Sequence, residues 1–574
     1  MIEALPPGLI LILGALLIPL FQKRLQPILT LALPFLGLVQ LLMLEPGVSH
    51  QLRLFDYELV VVRVDRLSLI FGYIFHLAAF LAAVYALHVR DTVQHVAAMI
   101  YVGAAVGAVF AGDLVTLFIY WELTAISSVF LIWATRTEAA YRSGMRYLVI
   151  QVGSGVLLLA GVIIHASATG SIVFGKLIGE DGLLSAASPG VVLIFVAFGV
   201  KSAFPFLHNW LQDSYPNGTV TGTVFLSAFT TKLAIYALAR GFPGTEILIP
   251  MGVVMTLFPV FYAVIENDLR KVLAYSLNNQ LGYMVVGIGI GTELALNGTV
   301  SHAFAHILYK ALLFMTMGAV LYRVGTTKAT ELGGLYKSMP VTTVCCLIAA
   351  ASISGFPFFS GFVTKSMVMA EVEHLHLTWI FLGLLIASAG VMEHSGIKIP
   401  YFAFFSHDSG IRVKEAPWNM LVAMVAGAFL CVAIGLYPAP LYEILPFQGI
   451  DYEPYTTGHV LTYFQLLIFA ILAFAVLVRT GIYPPEKRGV NLDFDWTYRK
   501  ALPAMISWVA RLGGGVGERL HAGVSSQLVD RTYRLIYRLH GPTGVFARTW
   551  STGAIAFWAV VGLFGFLLLY LWGR

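Results

Sequence analysis

Residues 114–133 read LVTLFIYWELTAISSVFLIW, an apolar run long enough to cross a bilayer with one carboxylate, Glu122, near its middle. If the span runs from 113 to 134, Glu122 lies nine residues from one end and twelve from the other, close to the midplane. Even a low insertion-scale cost of roughly 2.5 to 3.5 kcal/mol per central charge means that such a residue needs water, a partner or a proton-handling task. Lys201, Lys232, Lys310 and Lys365 interrupt similar runs. Several buried charges in one chain point to an ion pathway.

Composition places the rest of the chain in the same class. Hydrophobic residues make up 58% and charged residues 11% of the 574, and the mean hydropathy is +0.83. The pattern predicts an all-α polytopic membrane protein of about sixteen transmembrane helices. They fall near 7–22, 25–44, 66–88, 93–111, 113–134, 143–168, 189–212, 220–241, 247–265, 272–291, 296–322, 340–373, 377–404, 417–437, 462–481 and 552–571. No gap is long enough for a soluble catalytic domain. The first run has no basic segment before it and leads straight into a second span, so it reads as a helix rather than a cleaved leader. A net charge of +5 spread over many loops argues against a nucleic-acid partner. Cys345, Cys346 and Cys431 sit in apolar runs without CxxC spacing and suit neither an iron-sulfur site nor a disulfide framework.

Loop charges suggest an orientation. Lys23, Arg24, Arg90, Arg136, Arg142, Arg146, Arg270, Lys271, Arg323, Lys328, Lys337, Lys398, Arg412 and Lys414 fall on one side, against little beyond Arg53, Arg63, Lys176 and Arg240 on the other. The positive-inside rule then puts the first loop in the cytoplasm and, with sixteen spans, both termini outside it. Leu52 to Val64 alternates as a short hairpin would. Between Tyr483 and Thr549, Val516, Leu520, Val524 and Leu528 recur every four residues after Gly513-Gly514-Gly515. That is an amphipathic helix, either packed on its own loops or strapped along a neighbouring subunit.

An internal echo organises the centre. Ser202-Ala203-Phe204-Pro205-Phe206 returns as Ser354-Gly355-Phe356-Pro357-Phe358, each proline inside an apolar run and each near a lysine, Lys201 or Lys365. Proline removes an N–H and clashes with the preceding turn, so both helices should break there. With five spans in each unit, the two units begin on opposite sides, which predicts an inverted repeat.

The buried polar residues then acquire roles. Glu122 suits a switchable pair with a lysine on an adjacent helix, or a permanent helix-to-helix ion pair. His302, His306 and Lys310 follow at four-residue spacing along one helical face and suit a proton relay, although hydrogen-bonded packing also explains the histidines. A metal site lacks a third ligand, since nothing resembling HExxH occurs. Gly287, Gly289 and Gly291 lack the strand and turn of a dinucleotide site and read as helix packing. Nothing indicates a bound cofactor.

Several strings carry a family resemblance. WELT around Glu122, KSAFPFLHNWLQD from Lys201, FTTKLAIYAL around Lys232, DLRKVLAYSLNNQLGYM from Asp268, HAFAHILYKALLF from His302 and SGFPFFSGFVTK through Lys365 are together similar to the antiporter-like subunits of respiratory complex I, energy-converting hydrogenases and Mrp-type cation/proton antiporters. RVKEAPWNM at Arg412 to Met420 resembles the D-type member of the Mrp subunits. The resemblance implies two inverted five-helix repeats, broken seventh and twelfth helices and a C-terminal lateral helix. It also implies roles: Glu122 and Lys201 as a coupled pair, Lys232 as the connecting lysine, His302, His306 and Lys310 as the central relay, and Lys365 as the terminal group.

The resemblance further implies other membrane subunits as partners, protons and Na+ or K+ as cargo, and a bacterial or archaeal cytoplasmic membrane. A redox-driven pump, an inorganic-carbon uptake complex and a scaffold without transport are the competing assignments. The expected segments are 1–92, 93–246 and 247–404 for the two repeats, 405–482, 483–550 and 551–574. One departure is Tyr215-Pro216-Asn217-Gly218-Thr219, where relatives carry Pro-Thr-Pro.

Overall fold

Aspartate and threonine punctuate this chain. Asp65, Asp91, Asp113 and Asp268 each stand one residue before a helix and accept backbone N–H bonds from its first turn, as Thr137 and Thr292 do for two more. An uncapped N–H costs most where water is scarce, so these short side chains set where spans begin. The computed structural model describes residues 5–54, 57–483, 487, 489, 491–510 and 561.

The chain divides into two units, Met1–Asn491 and Leu492–Arg574. The first opens with α1 (Leu9–Leu17) and α2 (Gln26–Leu42), then an antiparallel hairpin of β1 (Gly47–Leu54) and β2 (Tyr57–Val64), in register from Gly47 opposite Val64 to Leu54 opposite Tyr57. Next come α3 (Arg66–Tyr85), α4 (Thr92–Phe110), α5 (Leu114–Trp133), α6 (Glu138–Thr169), α7 (Pro189–Lys201), the short α8 (Asn209–Ser214), α9 (Gly222–Ala228) and α10 (Thr230–Gly241). The following run is α11 (Leu248–Ile265), α12 (Leu269–Ile290), α13 (Glu293–Val324), α14 (Pro340–Ser354), α15 (Ser360–His374) and α16 (Thr378–Val391). Helix α16 continues through π-helical turns at Met392–Lys398 and Tyr401–Phe405. Helices α17 (Trp418–Leu436), α18 (Ala439–Glu443) and α19 (Thr457–Arg479) complete the unit.

Among the described residues, ten helices or helix pairs are long and apolar enough to cross a membrane, and four shorter apolar ones lie at Leu9–Leu20, Gln26–Leu42, Pro189–Lys201 and Pro340–Ser354. In the second unit, Thr497–Ala501 is π-helical and 502–510 is helical. The amphipathic helix expected around Val516 to Leu528 and nearly all of the span expected at 552–571 lie outside the described residues.

Both proline strings break their helices. Helix α7 stops at Lys201 and resumes as α8 at Asn209; α14 stops at Ser354 and resumes as α15 at Ser360. The backbones match residue for residue: Ala203 (φ 61°) corresponds to Gly355 (φ 73°), and Phe206 (φ 69°) to Phe358 (φ 74°). The flanking loops match too, since Asp113 before α5 bridges to Val173 after α6, and Asp268 before α12 bridges to Lys328 after α13.

Small residues bring the helices close. A Cβ on Gly252 of α11 would stand 2.7 Å from the Gly282 carbonyl, and one on Gly282 would stand 2.5 Å from that of Gly252. Gly289 likewise abuts Ile249, which agrees with reading the glycines of α12 as packing positions. The core runs through α13 and the α9–α10 span, both buried along nearly their whole length. The Tyr215–Asn217 turn is tied down by Arg270, whose guanidinium donates to the carbonyls of Pro216 (2.9 Å) and Gly218 (3.0 Å) and to the Thr223 hydroxyl.

Candidate functional site: a row of buried basic residues

Helix α5 carries Glu122 half-buried against α6. Its carboxylate occupies space that only a glycine leaves: a Cβ on Gly155 would lie 1.3 Å from Glu122 Oε1. That oxygen is buried and accepts no hydrogen bond from the described residues. Lys201, at the C-terminal end of α7, is fully buried. Its ammonium donates to the Trp121 carbonyl (2.8 Å) and the Thr124 hydroxyl (2.8 Å), and lies 4.1 Å from the centre of the Trp121 ring. Glu122 stands between those two anchors in sequence, yet no ion pair within 4.0 Å joins it to Lys201 among the described residues. The pair is adjacent and open.

Lys232 lies where the next span is itself interrupted. Helices α9 and α10 are separated by Phe229 (φ −106°, ψ −60°), and Lys232 donates to the Ser227 carbonyl (2.5 Å) across the gap. On the other side of the gap the Thr230 N–H donates to the Tyr101 hydroxyl (2.9 Å), which also bonds the Thr230 hydroxyl. The break is satisfied by a lysine and a tyrosine, so its polar backbone survives burial. Lys232 is near enough for its charge to act on His306 and Lys310.

The four-residue stripe on α13 lies wholly inside the bundle: His302, His306 and Lys310 are all 0% exposed. The two imidazoles face each other with ring centres 6.1 Å apart. His302 Nδ1 is 3.4 Å from the Thr364 hydroxyl, next to Lys365 in sequence. Neither ring nitrogen of His306 has a hydrogen-bond partner among the described residues. Lys365, on α15, bonds the Ser388 hydroxyl (2.8 Å) and lies 5.3 Å from the centre of the Tyr283 ring. Lys310 donates to the Ser276 hydroxyl on α12 (2.9 Å). Ser276 in turn accepts from Ser395 (2.7 Å), and Ser395 bonds His394 Nδ1 (2.8 Å) in the π-helical turn after α16.

Residues 111–392 match the family described as NADH:quinone oxidoreductase/Mrp antiporter, TM. The D-type subunit of the Na(+)/H(+) antiporter of Alkalihalophilus pseudofirmus is 31% identical over 354 residues, which cover 59% of this chain and 71% of that protein. The chain belongs to this antiporter family. Among solved structures, a chain of the membrane-bound sulfane sulfur reductase, an archaeal respiratory membrane complex, shares the fold with a TM-score of 0.72 at 22% identity, covering 99% of this chain and 100% of that one. A chain of the Mrp complex from Dietzia sp. DQ12-45-1b matches with a TM-score of 0.68 at 20% identity, over 77% of this chain and 95% of that one.

In this antiporter-family chain the sequence marks seven polar groups within spans, six fully buried and Glu122 half-buried, but not the neutral groups that bond beside them. Tyr101, Ser276 and Ser395 carry no charge and stand out in no hydropathy window. Lys398 and Arg270 were visible but counted with the loops. Both are buried: Lys398 is 0% exposed and donates to the carbonyls of Val264 (2.5 Å), Glu266 (2.8 Å) and Ala263 (3.2 Å), which closes the C-terminal end of α11. Helix ends need such partners, and a lysine four residues beyond His394 was the available signal.

Proposed function

We propose that this chain is the proton-translocating subunit of a multisubunit membrane complex, working in Mrp-type monovalent cation/proton antiport. The observation that carries the proposal is the placement of Lys201, Lys232, Lys310 and Lys365 in the sealed interior, two of them at helix breaks. Burying lysines is costly, and ionisable groups kept inside membrane spans mark ion and proton pathways. In this reading a proton reaches Lys201 or Lys232 from a half-channel. Closing the Glu122–Lys201 pair tightens the lysine's hold on its proton, and opening it sends the proton through His306 and Lys310 toward Lys365.

The matching breaks and matching bridges of α4–α10 and α11–α16 support reading them as two inverted repeats, 93–246 and 247–404. Segments 1–92, 405–482, 483–550 and 551–574 surround them. The loop-charge bias supports a sixteen-span arrangement with both termini extracytoplasmic in a bacterial or archaeal cytoplasmic membrane. A second reading, a membrane-arm subunit of a redox-driven complex, is favoured by the sulfane sulfur reductase fold extending over 99% of this chain rather than 77%.

Membrane vesicles holding the assembled complex test both. Lys201→Ala and Glu122→Gln should leave assembly intact and abolish or strongly reduce pH-gradient changes. Transport at the parental rate in both variants would make the chain a scaffold. Dissipation of an imposed gradient by Na+ or K+ alone supports antiport, whereas dependence on redox substrates and co-purified redox subunits supports the pump.

A further inference from the structure

The row leading to Lys365 does not use every buried titratable group near it. His394 is 0% exposed, in the π-helical turn Met392–Lys398, and its Nε2 has no hydrogen-bond partner among the described residues. Its other nitrogen ends an unbroken hydrogen-bonded chain, Lys310 to Ser276 to Ser395 to His394, with successive separations of 2.9, 2.7 and 2.8 Å. All four residues are fully buried. They come from three separate segments of chain, α12, α13 and the turn after α16, so local sequence did not force the alignment.

The π-helical turn matters here. An extra residue in a helical turn re-aims the side chains around it, and such turns recur where chemistry needs an off-register group. The α9–α10 span shows the same habit: it too follows a proline-broken helix and is itself irregular, at Phe229, beside the basic Lys232. In each half, then, the span after the proline break distorts beside a buried basic residue, Lys232 bonding the Ser227 carbonyl and His394 the Ser395 hydroxyl.

We propose that His394 is a proton carrier on a second branch that leaves Lys310 through Ser276 and Ser395, toward the end of the bundle where Lys398 and Glu266 lie. The proposal rests on the proton-translocating function put forward above. The proton leaves Lys310 Nζ, each serine hydroxyl accepts one proton and passes on its own, and His394 Nδ1 becomes protonated while Lys310 becomes neutral. Hydroxyl hydrogens rotate freely enough to orient either way along the chain. Release is then of the Nε2 proton to a water molecule, which restores the neutral imidazole with its remaining proton on Nδ1. The charged groups that act on His394 are Lys310 and Lys398, with Glu393 beside it in sequence. Lys398 bonds the backbone carbonyl of Glu266 (2.8 Å), whose carboxylate pairs with the partly exposed Lys271 (2.9 Å), so the end of the bundle nearest His394 in sequence carries charge in contact with solvent.

The test compares His394→Gln, Ser276→Ala, Ser276→Thr and Lys201→Ala in vesicles holding the assembled complex, with proton movement read from a pH-sensitive dye. His394→Gln and Ser276→Ala should each slow transport on the order of tenfold, less than the roughly hundredfold loss of a sole positioned proton-transfer group, because the route toward Lys365 remains. Ser276→Thr should restore the rate, because it restores the hydroxyl. Parental rates in His394→Gln and Ser276→Ala alongside failure of Lys201→Ala would overturn the branch and leave the proposed function standing. A loss in Ser276→Ala that threonine does not repair would also overturn it, by making Ser276 a packing residue. Should His394→Gln not assemble, the Ser276 alanine and threonine variants decide alone.

Discussion

The two proline-broken helices are built alike and equipped differently. Around Lys201 and around Lys365 the backbone passes through the left-handed region at the same two positions of the same five-residue string. Yet Lys201 ends the helix before its break, whereas Lys365 lies within the helix after its break. Lys201 has a carboxylate beside its anchors; Lys365 has a serine hydroxyl and an aromatic ring. One break therefore has a carboxylate neighbour and, among the described residues, the other does not. Duplicated backbone geometry makes a polar site in apolar surroundings, and the side chains added to it decide whether that site is regulated.

The strongest way to break this contrast is to remove each lysine. Lys201→Ala and Lys365→Ala should each reduce proton transport on the order of a hundredfold, as loss of a positioned proton-transfer group does. Parental transport in either variant, measured in vesicles with assembly checked by co-purification, would remove that break from the pathway. The carboxylate should matter less than the lysines. Glu122→Gln should slow transport about tenfold, the scale of a typical coupling energy between sites. Gly155→Ala should approach the same effect, because its methyl group would take the place of the carboxylate oxygen. If Gly155→Ala transports normally, the fit of Glu122 against α6 is not functional.

The backbone echo can be sharpened through stability. Ala203 holds a left-handed conformation that glycine adopts without strain, so Ala203→Gly should stabilise the first break by about 1 kcal/mol. Gly355→Ala should destabilise the second, and its Cβ would stand 3.3 Å from Lys365 Nζ, so transport should fall along with thermal stability. Equal and opposite shifts in the melting temperature of the complex would confirm that the two loops are energetically alike.

The smallest effect belongs to the loop after α16. There Arg412 and Lys337 hydrogen-bond Asp408 and hold its carboxyl well below the usual carboxylate range. A depressed carboxylate stabilises above its unfolded pKa and loses that contribution only as pH falls through the folded value. Asp408→Asn should therefore shift melting slightly and equally from pH 5 to 8, and less in high salt, because exposed pairs are screened. A shift that grows between pH 8 and pH 5 would contradict this assignment.

How much was legible follows from the same physics. Charges in apolar runs are conspicuous, so Glu122, the four lysines and the histidine stripe of α13 are legible in the sequence. The proline strings announced both helix breaks. The break at Phe229 carries no proline and escaped notice, as did the π-helical turns after α16, because an apolar run looks the same whether its helix is regular or distorted. Lys398 was misplaced for a related reason: near the end of a span, sequence does not say whether a lysine reaches the loop or turns back to close a neighbouring helix.

Sequence alone determined what could not be hidden in lipid. It set which runs are apolar, the two proline breaks and the identity of the groups that must be sheltered, because each carries an unavoidable cost in a low-dielectric interior. Tertiary structure decided which of those groups meet. The open Glu122–Lys201 pair, the gap closed by Tyr101 and Lys232, and the serine bridge from Lys310 to His394 all depend on hydrogen bonds a few ångströms long between helices far apart in the chain. Such contacts are fixed by helix packing and register, which a linear pattern of hydropathy and charge does not contain.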